Sequence, residues 1–273
     1  MPATGSLSDY AESKILNHVF GGIPWSPLPI LYLGYLVGVP NESTAGSEPV
    51  GGGYQRLAIT NNTVNFPAPT NRVKLLATEQ TFPYATNNHG TVQAISAWDC
   101  PAPGTGNMIF YAPLEQPTGI QPGDAFKIPA NSFKIAAKPG GGFSNYMKDA
   151  ILNHILGGTP FDLLTHLYFG YMTTVPTDAA AGTEPSGNGY ARVAVVNNPT
   201  NFPEVLPNGE KFNASRINFA ESTGNQGTAA YVGAWDAATA GNFIAWYQMS
   251  QPKNVVAEQI PFIPEQGFKV MAD

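Results

Sequence analysis

The sequence is poor in charge and nearly free of cysteine. Lysine, arginine, aspartate and glutamate make up 12% of its 273 residues, about half the usual share, so solubility must rest on uncharged polar groups. The basic residues form no cluster, and the net charge is −6. Because nucleic-acid affinity depends on concentrated positive charge, this composition argues against a nucleic-acid partner.

Other common features are also missing. The single cysteine, Cys100, excludes an intrachain disulfide framework and a multi-cysteine metal site. No apolar stretch is long enough to span a bilayer. The opening residues, MPATGSLSDY, have neither the basic start nor the apolar core of a signal peptide. We therefore expect a protein that is made in a cytoplasm and does not insert into membranes.

Glycine and proline are abundant. The 29 glycines and 25 prolines separate short hydrophobic segments along the chain. Hydrophobic residues still make up 43% of the sequence, so the pattern indicates loop-rich β structure and not disorder. A chain of this length also exceeds the common size of one domain, which makes two domains the first expectation.

The sequence contains an internal duplication. The match begins at Tyr10 and Tyr146 and runs without a gap through Pro67 and Pro203. Further matches follow after small gaps. The matched segments include ILNHVFGG and ILNHILGG, LYLGY and LYFGY, SEPVGGGYQRLAITNN and TEPSGNGYARVAVVNN, and AWD in both copies. Self-similarity of this extent predicts one structural unit per copy.

The duplication predicts two domains, residues 1–135 and 143–273, with 136–142 (AAKPGGG) as a Gly/Pro linker. Each repeat opens with apolar residues at helical spacing, which end at a Gly-Gly pair. Short β-branched and aromatic segments follow, separated by Gly, Pro and Asn turns. The predicted fold class is mainly β: two tandem antiparallel β-sandwich domains, jelly-roll-like, each preceded by a short α-helix.

The helix start has a capping signal in both repeats. Ser8 or Asp9 can cap the first amides of repeat 1, and Glu12 is placed to complete a capping box from Asp9. Ser144 takes the same role in repeat 2. A helix of about three turns is not stable alone in water, so it must pack on its own sheet or on another subunit. The predicted strands of repeat 1 are 30–37, 54–60, 73–76, 92–98, 108–111 and 133–136.

Two histidines are candidate site residues. His18 and His154 occupy the same helical position in the two repeats and are candidates for a metal ligand or a general base. However, no second histidine and no carboxylate lies at ligand spacing on either helix. A histidine near a helix C-terminus also interacts favourably with the helix dipole. The pattern favours a structural role.

An acid and an arginine also recur at matched positions. Glu48 and Glu184 precede the Gly-rich turn of each repeat, and Arg56 and Arg192 follow it. Such a pair can bind an anionic or sugar ligand, or it can pair across a hairpin and hold the loop. The prolines and glycines around the turn favour the second interpretation.

The aspartates that end the AWD segments are a further candidate. Paired carboxylates would indicate glycoside hydrolysis, but Asp99 and Asp236 are each the only acid of their segment, which favours a turn role. Cys100 corresponds to Ala237 in repeat 2 and is therefore interpreted as a small packed residue. The sequence has no nucleophile elbow, P-loop or dinucleotide fingerprint. We predict no catalytic, cofactor-binding or metal-binding residues, and a protein that is not an enzyme.

The two repeats differ in an informative way. Residues identical in both are mainly Gly, Pro, Asn and aromatic, which set turns and core. Polar residues such as His89, which corresponds to Gln226, are among those that vary. This comparison indicates that the fold was retained while the surfaces diverged.

The order SDY…ILNHVFGG, LYLGY, EPVGGGYQR, NFP, GT…AWD, GN and QP resembles a family of tailed-bacteriophage virion proteins, often labelled tail fibre or tail proteins. Here the pattern occurs twice and covers nearly the whole chain. The resemblance implies a non-enzymatic virion component, assembled in the host cytoplasm. Because the sequence lacks the heptads, collagen-like repeats and long β-repeats of a fibre shaft, we expect a capsid decoration or cement protein. The alternative is a tail-tip or tail-fibre module that binds a host receptor.

The resemblance also implies the kinds of partner. These are other virion proteins (major capsid or tail proteins), further copies of the chain in a homo-oligomer and, for the receptor-binding alternative, a host-surface glycan. With so few charges, the virion interfaces must rely on apolar burial and neutral hydrogen bonds, which salt hardly screens.

Overall fold

The computed structural model describes residues 5–137 and 142–272. Strands account for 34% of the chain and helices for 8%. The sheets are antiparallel, and a helix followed by eight strands occurs in the described part of both repeats, so the predicted class of tandem, mainly β domains is confirmed. The centre of the predicted linker 136–142, residues 138–141, lies outside the described residues.

In its described residues, repeat 1 contains one helix and nine strands. They are β1 (Ser6–Leu7), α1 (Asp9–Val19), β2 (Ile30–Leu36), β3 (Leu57–Thr60), β4 (Val73–Leu75), β5 (Gln80–Thr81), β6 (Gly90–Trp98), β7 (Met108–Ile120), β8 (Lys127–Ile128) and β9 (Lys134–Ala136).

Repeat 2 follows the same plan, with a helix at its start. Its elements are α2 (Asn145–Ile155), β10 (His166–Met172), β11 (Val193–Val196), β12 (Lys211–Phe212), β13 (Ile217–Asn218), β14 (Gly227–Trp235), β15 (Phe243–Val255), β16 (Phe262–Ile263) and β17 (Lys269–Val270).

Within residues 5–137 and 142–272, each repeat has one main sheet and two short two-stranded ladders. The main sheets have the strand orders β1-β7-β6-β2-β3 and β11-β10-β14-β15, and the ladders are β4-β9, β5-β8, β12-β17 and β13-β16. Aromatic side chains join a main sheet to its ladders. Tyr35 of β2 contacts Phe82 and Phe126 at centroid distances of 4.8 and 5.1 Å, and Tyr171 of β10 contacts Phe219 at 4.8 Å. The ladders thus form the second layer of a β-sandwich.

Serine caps start both helices. The amide of Ala11 donates to Ser8 Oγ at 3.3 Å, and the amide of Met147 donates to Ser144 Oγ at 3.2 Å. Ser8 is therefore the cap of α1 and Asp9 is the first helical residue, so the capping box that starts from Asp9 does not form. The carboxylate of Asp9 instead accepts a hydrogen bond of 2.6 Å from Ser43 Oγ.

The largest difference from the predicted strands lies in β7, which continues past residue 111 to Ile120. Pro113 and Pro117 lie in this extension, and prolines normally interrupt a strand because they donate no hydrogen bond. Within the described residues, β1 pairs only with the beginning of β7, so the prolines lie where the outer edge of the sheet has no such partner. An irregularity in the pairing of β6 with β7 accommodates the residues between them.

The chain forms two compact units that do not follow the repeats throughout. Unit 1 comprises Met1–Glu12, Ser26–Ala137 and Asp149–Phe161, and unit 2 comprises Ser13–Trp25, Lys138–Lys148 and Asp162–Asp273. The predicted domains 1–135 and 143–273 keep each helix entirely with its own repeat. In the units, the second part of each helix and its Gly-Gly pair instead lie with the strands of the other repeat. We call 13–25 and 149–161 the exchanged segments.

Candidate functional site

The acid and arginine of repeat 1, which recur in repeat 2, form a buried ion pair. Arg56 donates through Nε to Glu48 Oε1 at 2.8 Å and through Nη2 to Glu48 Oε2 at 2.7 Å. The hydroxyl of Tyr54 also donates to Oε1, at 2.6 Å. The guanidinium of Arg56 lies 3.9 Å from the ring centre of Trp98, which adds a cation–π contact. Four side chains are thereby fixed in one cluster.

The same pair holds the loop that joins β6 to β7. Arg56 Nη1 donates to the carbonyl oxygens of Cys100 and Thr105 at 2.6 and 3.0 Å. The amide of Gly104 donates to Glu48 Oε2 at 2.7 Å. Both carboxylate oxygens and all three guanidinium nitrogens therefore have partners within the protein, which accords with the loop-holding interpretation and leaves the pair no open face for a ligand.

Repeat 2 builds the same cluster in a more open form. Arg192 donates to Glu184 at 3.0 Å through Nε and 2.6 Å through Nη2, and its guanidinium lies 3.9 Å from the Trp235 ring centre. Its Nη1 donates to the carbonyls of Ala237 and Ala240 at 2.9 and 2.7 Å. The arginine and glutamate side chains are 9% and 22% exposed here, compared with 0% and 5% in repeat 1.

The pKa values in these clusters follow from burial and hydrogen bonding. Burial tends to raise the pKa of Glu48, but hydrogen bonds from Arg56, Tyr54 and the amide of Gly104 outweigh it, so the pKa is lowered. Burial and the hydrogen bond to a glutamate raise the pKa of Tyr54, and the same causes raise that of Tyr190. Both tyrosines therefore remain hydrogen-bond donors at neutral pH.

The two helix histidines have matching structural roles. His18 Nδ1 accepts a hydrogen bond of 3.1 Å from the amide of Trp25, and His154 Nδ1 accepts one of 3.0 Å from the amide of Phe161. Both rings are buried. Each ring therefore ties a helix to the chain that leaves it, and an Nδ1 that accepts an amide proton is not available to a metal ion.

The candidate aspartates close tight loops. Asp99 accepts from the backbone amide and from the side-chain amide of Asn107, both at 2.7 Å. Asp236 accepts the corresponding bonds from Asn242 at 2.6 and 2.7 Å. Both oxygens of each carboxylate are engaged, which is turn chemistry. Nearby, the Sγ of the half-buried Cys100 lies 3.2 Å from Thr105 Oγ1, and this hydrogen bond is the main cause of a lowered pKa of its thiol.

The position that differs between the repeats, His89 and Gln226, is internal. His89 Nε2 lies 2.9 Å from the carbonyl oxygen of Gly52, and its Nδ1 lies 2.6 Å from the hydroxyl of Tyr35. Because a carbonyl only accepts, Nε2 carries a proton and donates to Gly52. Gln226 donates from Nε2 to the carbonyl of Asn188 at 2.6 Å and accepts from the hydroxyl of Tyr171. The expectation that this variation marks a diverged surface is therefore wrong for this position, since both side chains are buried.

Sequence reasoning missed two matched pairs of buried polar residues, Asn61 with Asn197 and Lys74 with Lys211. All four side chains are at most 6% exposed. Their signal was present, because each residue recurs at the corresponding position of the other repeat. Lysine inside a strand of a protein with so few charges was the stronger indication that a specific partner exists.

The exposed surface offers two features that differ between the repeats. In unit 1, Val50 is 94% and Tyr84 is 72% exposed, on loops joined by a hydrogen bond of 2.9 Å from the amide of Thr86 to the carbonyl of Gly52. The corresponding residues of repeat 2 are the exposed polar residues Ser186 and Glu221. Unit 1 therefore has an apolar loop surface where unit 2 has a polar one.

In unit 2, a cleft of about 470 Å³ borders the exposed part of β15. Its lining combines aromatic, apolar and polar side chains, among them Tyr247, Met249, Lys253, Phe262 and Gln266. One face of the Phe262 ring is covered by Arg216, whose guanidinium lies 3.6 Å from the ring centre.

Clusters of metal-binding side chains and membrane-spanning helices are both absent from the part of the chain that the structure describes. Within residues 5–137 and 142–272, no three or more His, Cys, Asp or Glu side chains are arranged to hold a metal ion. Among the helices of the described part of the chain, none has both the length and the apolar character needed to cross a membrane.

Comparison with known proteins identifies the family. Among curated proteins, none matches the chain significantly. The family described as Podophage GP4 fiber I protein gp80 matches residues 6–136 and, a second time, residues 142–271. These two matches coincide with the two repeats and together cover nearly the whole chain. The chain therefore belongs to this family of podophage fibre proteins, here in tandem duplication, and is a virion structural protein.

Proposed function

We propose that the chain is a non-enzymatic subunit of a virion fibre, which acts through contacts with other proteins. The observation that carries this proposal is the fibre-family match over both repeats. The internal engagement of Glu48, Arg56, Asp99 and His18 supports it, because the residue types best suited to catalysis are used to hold loops and helices.

The fibre assignment changes the balance between the two placements on the virion. The expectation of a capsid decoration protein rested on the missing shaft. A missing shaft does not exclude a fibre protein, because the fibre family matches the two shaft-free repeats themselves. We therefore favour a fibre that projects from the tail towards the host, with the capsid surface as the competing placement. Labelling of intact virions with an antibody against the chain, viewed by electron microscopy, distinguishes them: label at the capsid would overturn tail placement.

The virion contacts of such a subunit should be insensitive to salt. Only 12% of the residues are charged, so the interfaces depend on apolar area and neutral hydrogen bonds. We expect the protein to stay on purified virions across a salt series up to about 1 M and to leave them in mild denaturant. Release at moderate salt from otherwise intact particles would indicate an electrostatic attachment instead.

The apolar loop surface of unit 1 is the favoured contact with another virion protein. Val50 and Tyr84 are large, apolar and exposed, and their counterparts Ser186 and Glu221 give a natural design for a variant. The double substitution V50S/Y84E should reduce incorporation into virions without changing the melting temperature. The reverse substitutions, S186V/E221Y, serve as the matched control. Normal incorporation of the V50S/Y84E protein would exclude this surface.

A second candidate function, binding of a host-surface glycan, is favoured by the cleft of unit 2. Tyr247 and Phe262 supply aromatic rings, and Lys253 and Gln266 supply polar groups, a combination suited to sugars. The test is adsorption of virions that carry Tyr247→Ala, since alanine is the residue of repeat 1 at the matching position 112. Reduced adsorption with normal virion assembly would support glycan binding, and unchanged adsorption would exclude it.

A further inference from the structure

The exchanged segments enter binding sites that are built from the other repeat. In unit 2, the exchanged segment 13–25 brings Phe20 among Phe143, Phe202 and Phe268, at centroid distances of 6.1, 5.9 and 5.6 Å. Phe20 is fully buried, and its three aromatic neighbours all belong to repeat 2. An aromatic cluster of this kind is a packed interior contact and not a surface encounter.

Asn197 binds the backbone of this exchanged segment at the end of α1. Its Oδ1 accepts from the amide of Gly21 at 2.6 Å, and its Nδ2 donates to the carbonyl of Val19 at 3.0 Å. A further bond of 2.9 Å, to the carbonyl of Leu164, fixes the asparagine within repeat 2. The carbonyl of Val19 is one of those that a helix C-terminus leaves without a partner, and the amide of Gly21 belongs to the turn that follows the helix.

Unit 1 repeats this arrangement with the exchanged segment 149–161. Asn61 Oδ1 accepts from the amide of Gly157 at 2.6 Å, and Asn61 Nδ2 donates to the carbonyl of Ile155 at 2.9 Å. The anchoring bond, of 2.8 Å, goes to the carbonyl of Leu28. Asn197 of repeat 2 therefore binds the helix end of repeat 1, and Asn61 of repeat 1 binds the helix end of repeat 2 in the same way.

The lysines and glycines complete the match. Lys211 Nζ donates to Asn17 Oδ1 at 2.5 Å, and a Cβ at Gly21 would lie 2.9 Å from the same Nζ. Gly157 stands in the same relation to Lys74, at 2.8 Å. At Gly22 and Gly158, φ is positive (64° and 63°), and a Cβ would clash with the carbonyl oxygens of Asn197 and Asn61. Because φ is also positive at Gly21 and Gly157 (151° and 118°), both positions of each pair favour glycine, which explains why both helices end with Gly-Gly.

We propose that each repeat carries a docking site for the helix end of the other repeat, and that this reciprocal docking, rather than the peptide link, holds the two repeats together. The ligand of each site is a helix that ends in Asn-His-x-(Phe or Leu)-Gly-Gly. In both sites an asparagine (61 or 197) binds this helix end, and a buried lysine (74 or 211) lies against its first glycine. In unit 2, Phe202 also packs on Phe20. This interaction does not depend on where the protein lies on the virion.

The test breaks the peptide link and retains every residue. Residues 1–139, with an affinity tag, and residues 140–273, without a tag, are co-expressed as two chains. We expect the untagged chain to co-purify with the tagged chain in a 1:1 ratio. Recovery of the tagged chain alone, with the untagged chain soluble in the flow-through, would overturn the proposal. Insolubility of both chains when they are expressed together would overturn it as well, because it would show that the link is required.

Substitution of the two asparagines tests the docking sites themselves. In the two-chain form, Asn61→Ala and Asn197→Ala should each raise the dissociation constant at least about tenfold, because each leaves buried backbone groups without partners. The matched controls are Asn65→Ala and Asn201→Ala. These asparagines also donate to a carbonyl, at 2.8 and 2.9 Å, but outside the docking sites. If the docking-site variants bind as tightly as the controls, the proposed sites are wrong.

Discussion

Repeat 1 and repeat 2 satisfy the same buried groups with different side chains. His89 donates to a turn carbonyl and lies against the hydroxyl of Tyr35, and Gln226 makes the corresponding bonds to a turn carbonyl and to Tyr171. Imidazole and carboxamide share one donor and one acceptor at similar separation. The difference teaches that the pattern of donors and acceptors was retained and not the residue type, so variation between repeats can mark an interior position.

A second comparison concerns the ion pairs. Glu48 and Arg56 are almost fully buried, and Glu184 and Arg192 are partly exposed, although the hydrogen bonds that each glutamate accepts from its arginine and tyrosine correspond. Water can therefore replace a lost partner more easily in repeat 2. Two ion pairs with similar geometry can therefore contribute differently to the unfolding free energy.

Substitutions in the two ion pairs should show the largest difference in unfolding free energy between the repeats. Arg56→Ala leaves a buried carboxylate without its partner and should cost about 3–5 kcal/mol of unfolding free energy. Arg192→Ala should cost clearly less, because solvent reaches Glu184. Denaturant titration of the two variants measures both. Equal losses would show that exposure of the pair does not determine its contribution.

Substitutions in the Tyr35–His89 and Tyr171–Gln226 pairs should have the next largest effect on the unfolding free energy. His89→Ala leaves the hydroxyl of Tyr35 without its partner and removes one of the two hydrogen bonds to the carbonyl of Gly52. It should cost about 1–3 kcal/mol of unfolding free energy. His89→Gln places in repeat 1 the residue that repeat 2 has at this position. It should lower the unfolding free energy by less than about 1 kcal/mol. The reciprocal Gln226→His is the matched control. Thermal unfolding of the three variants measures these losses. Equal losses of stability for His89→Ala and His89→Gln would show that glutamine does not replace histidine at this position.

The buried lysines predict a pH dependence that the two repeats share. Burial lowers the pKa of Lys74 and of Lys211 to about 8, below the ordinary lysine value of about 10.4. Between these values the unfolded chain binds more protons than the folded chain, so the lysine contribution to stability rises as pH increases from about 8 to about 10.4. The stability of the wild type relative to Lys74→Met/Lys211→Met should therefore increase over this range. A difference between the two proteins that is independent of pH would contradict the lowered pKa values.

The smallest effect on the unfolding free energy is expected at an exposed ion pair of repeat 1. Lys127 and Glu79 lie 3.9 Å apart and are both more than half exposed, so Lys127→Ala should change stability by less than about 0.5 kcal/mol. At the matched positions, repeat 2 has Phe262 beneath the guanidinium of Arg216. Phe262→Ala should therefore cost more than Lys127→Ala. Denaturant titration of the two variants measures both losses. A smaller loss of unfolding free energy for Phe262→Ala than for Lys127→Ala would contradict this prediction.

Much of the local structure could be predicted from the sequence. The serine cap at Ser144, the helix stops and the turn role of Asp99 follow from local rules. The extension of β7 past Pro113 was not predictable from the same rules, because it depends on the strand lying at a sheet edge. The exchange of the helix ends was not predictable either. ILNHVFGG and ILNHILGG carry nearly the same pattern, so periodicity cannot tell which repeat receives which helix.

The exchanged segments have a consequence for inheritance. A harmful change at Phe20 is expected to be compensated at Phe202 or Phe268, in the other half of the gene, because those are its partners. The two halves therefore cannot diverge independently, although they arose as copies. Recombination between them, which would delete one repeat, would leave a helix end and a docking site that only a second molecule of the shortened product could satisfy. Selection then acts on the tandem gene as a single heritable unit.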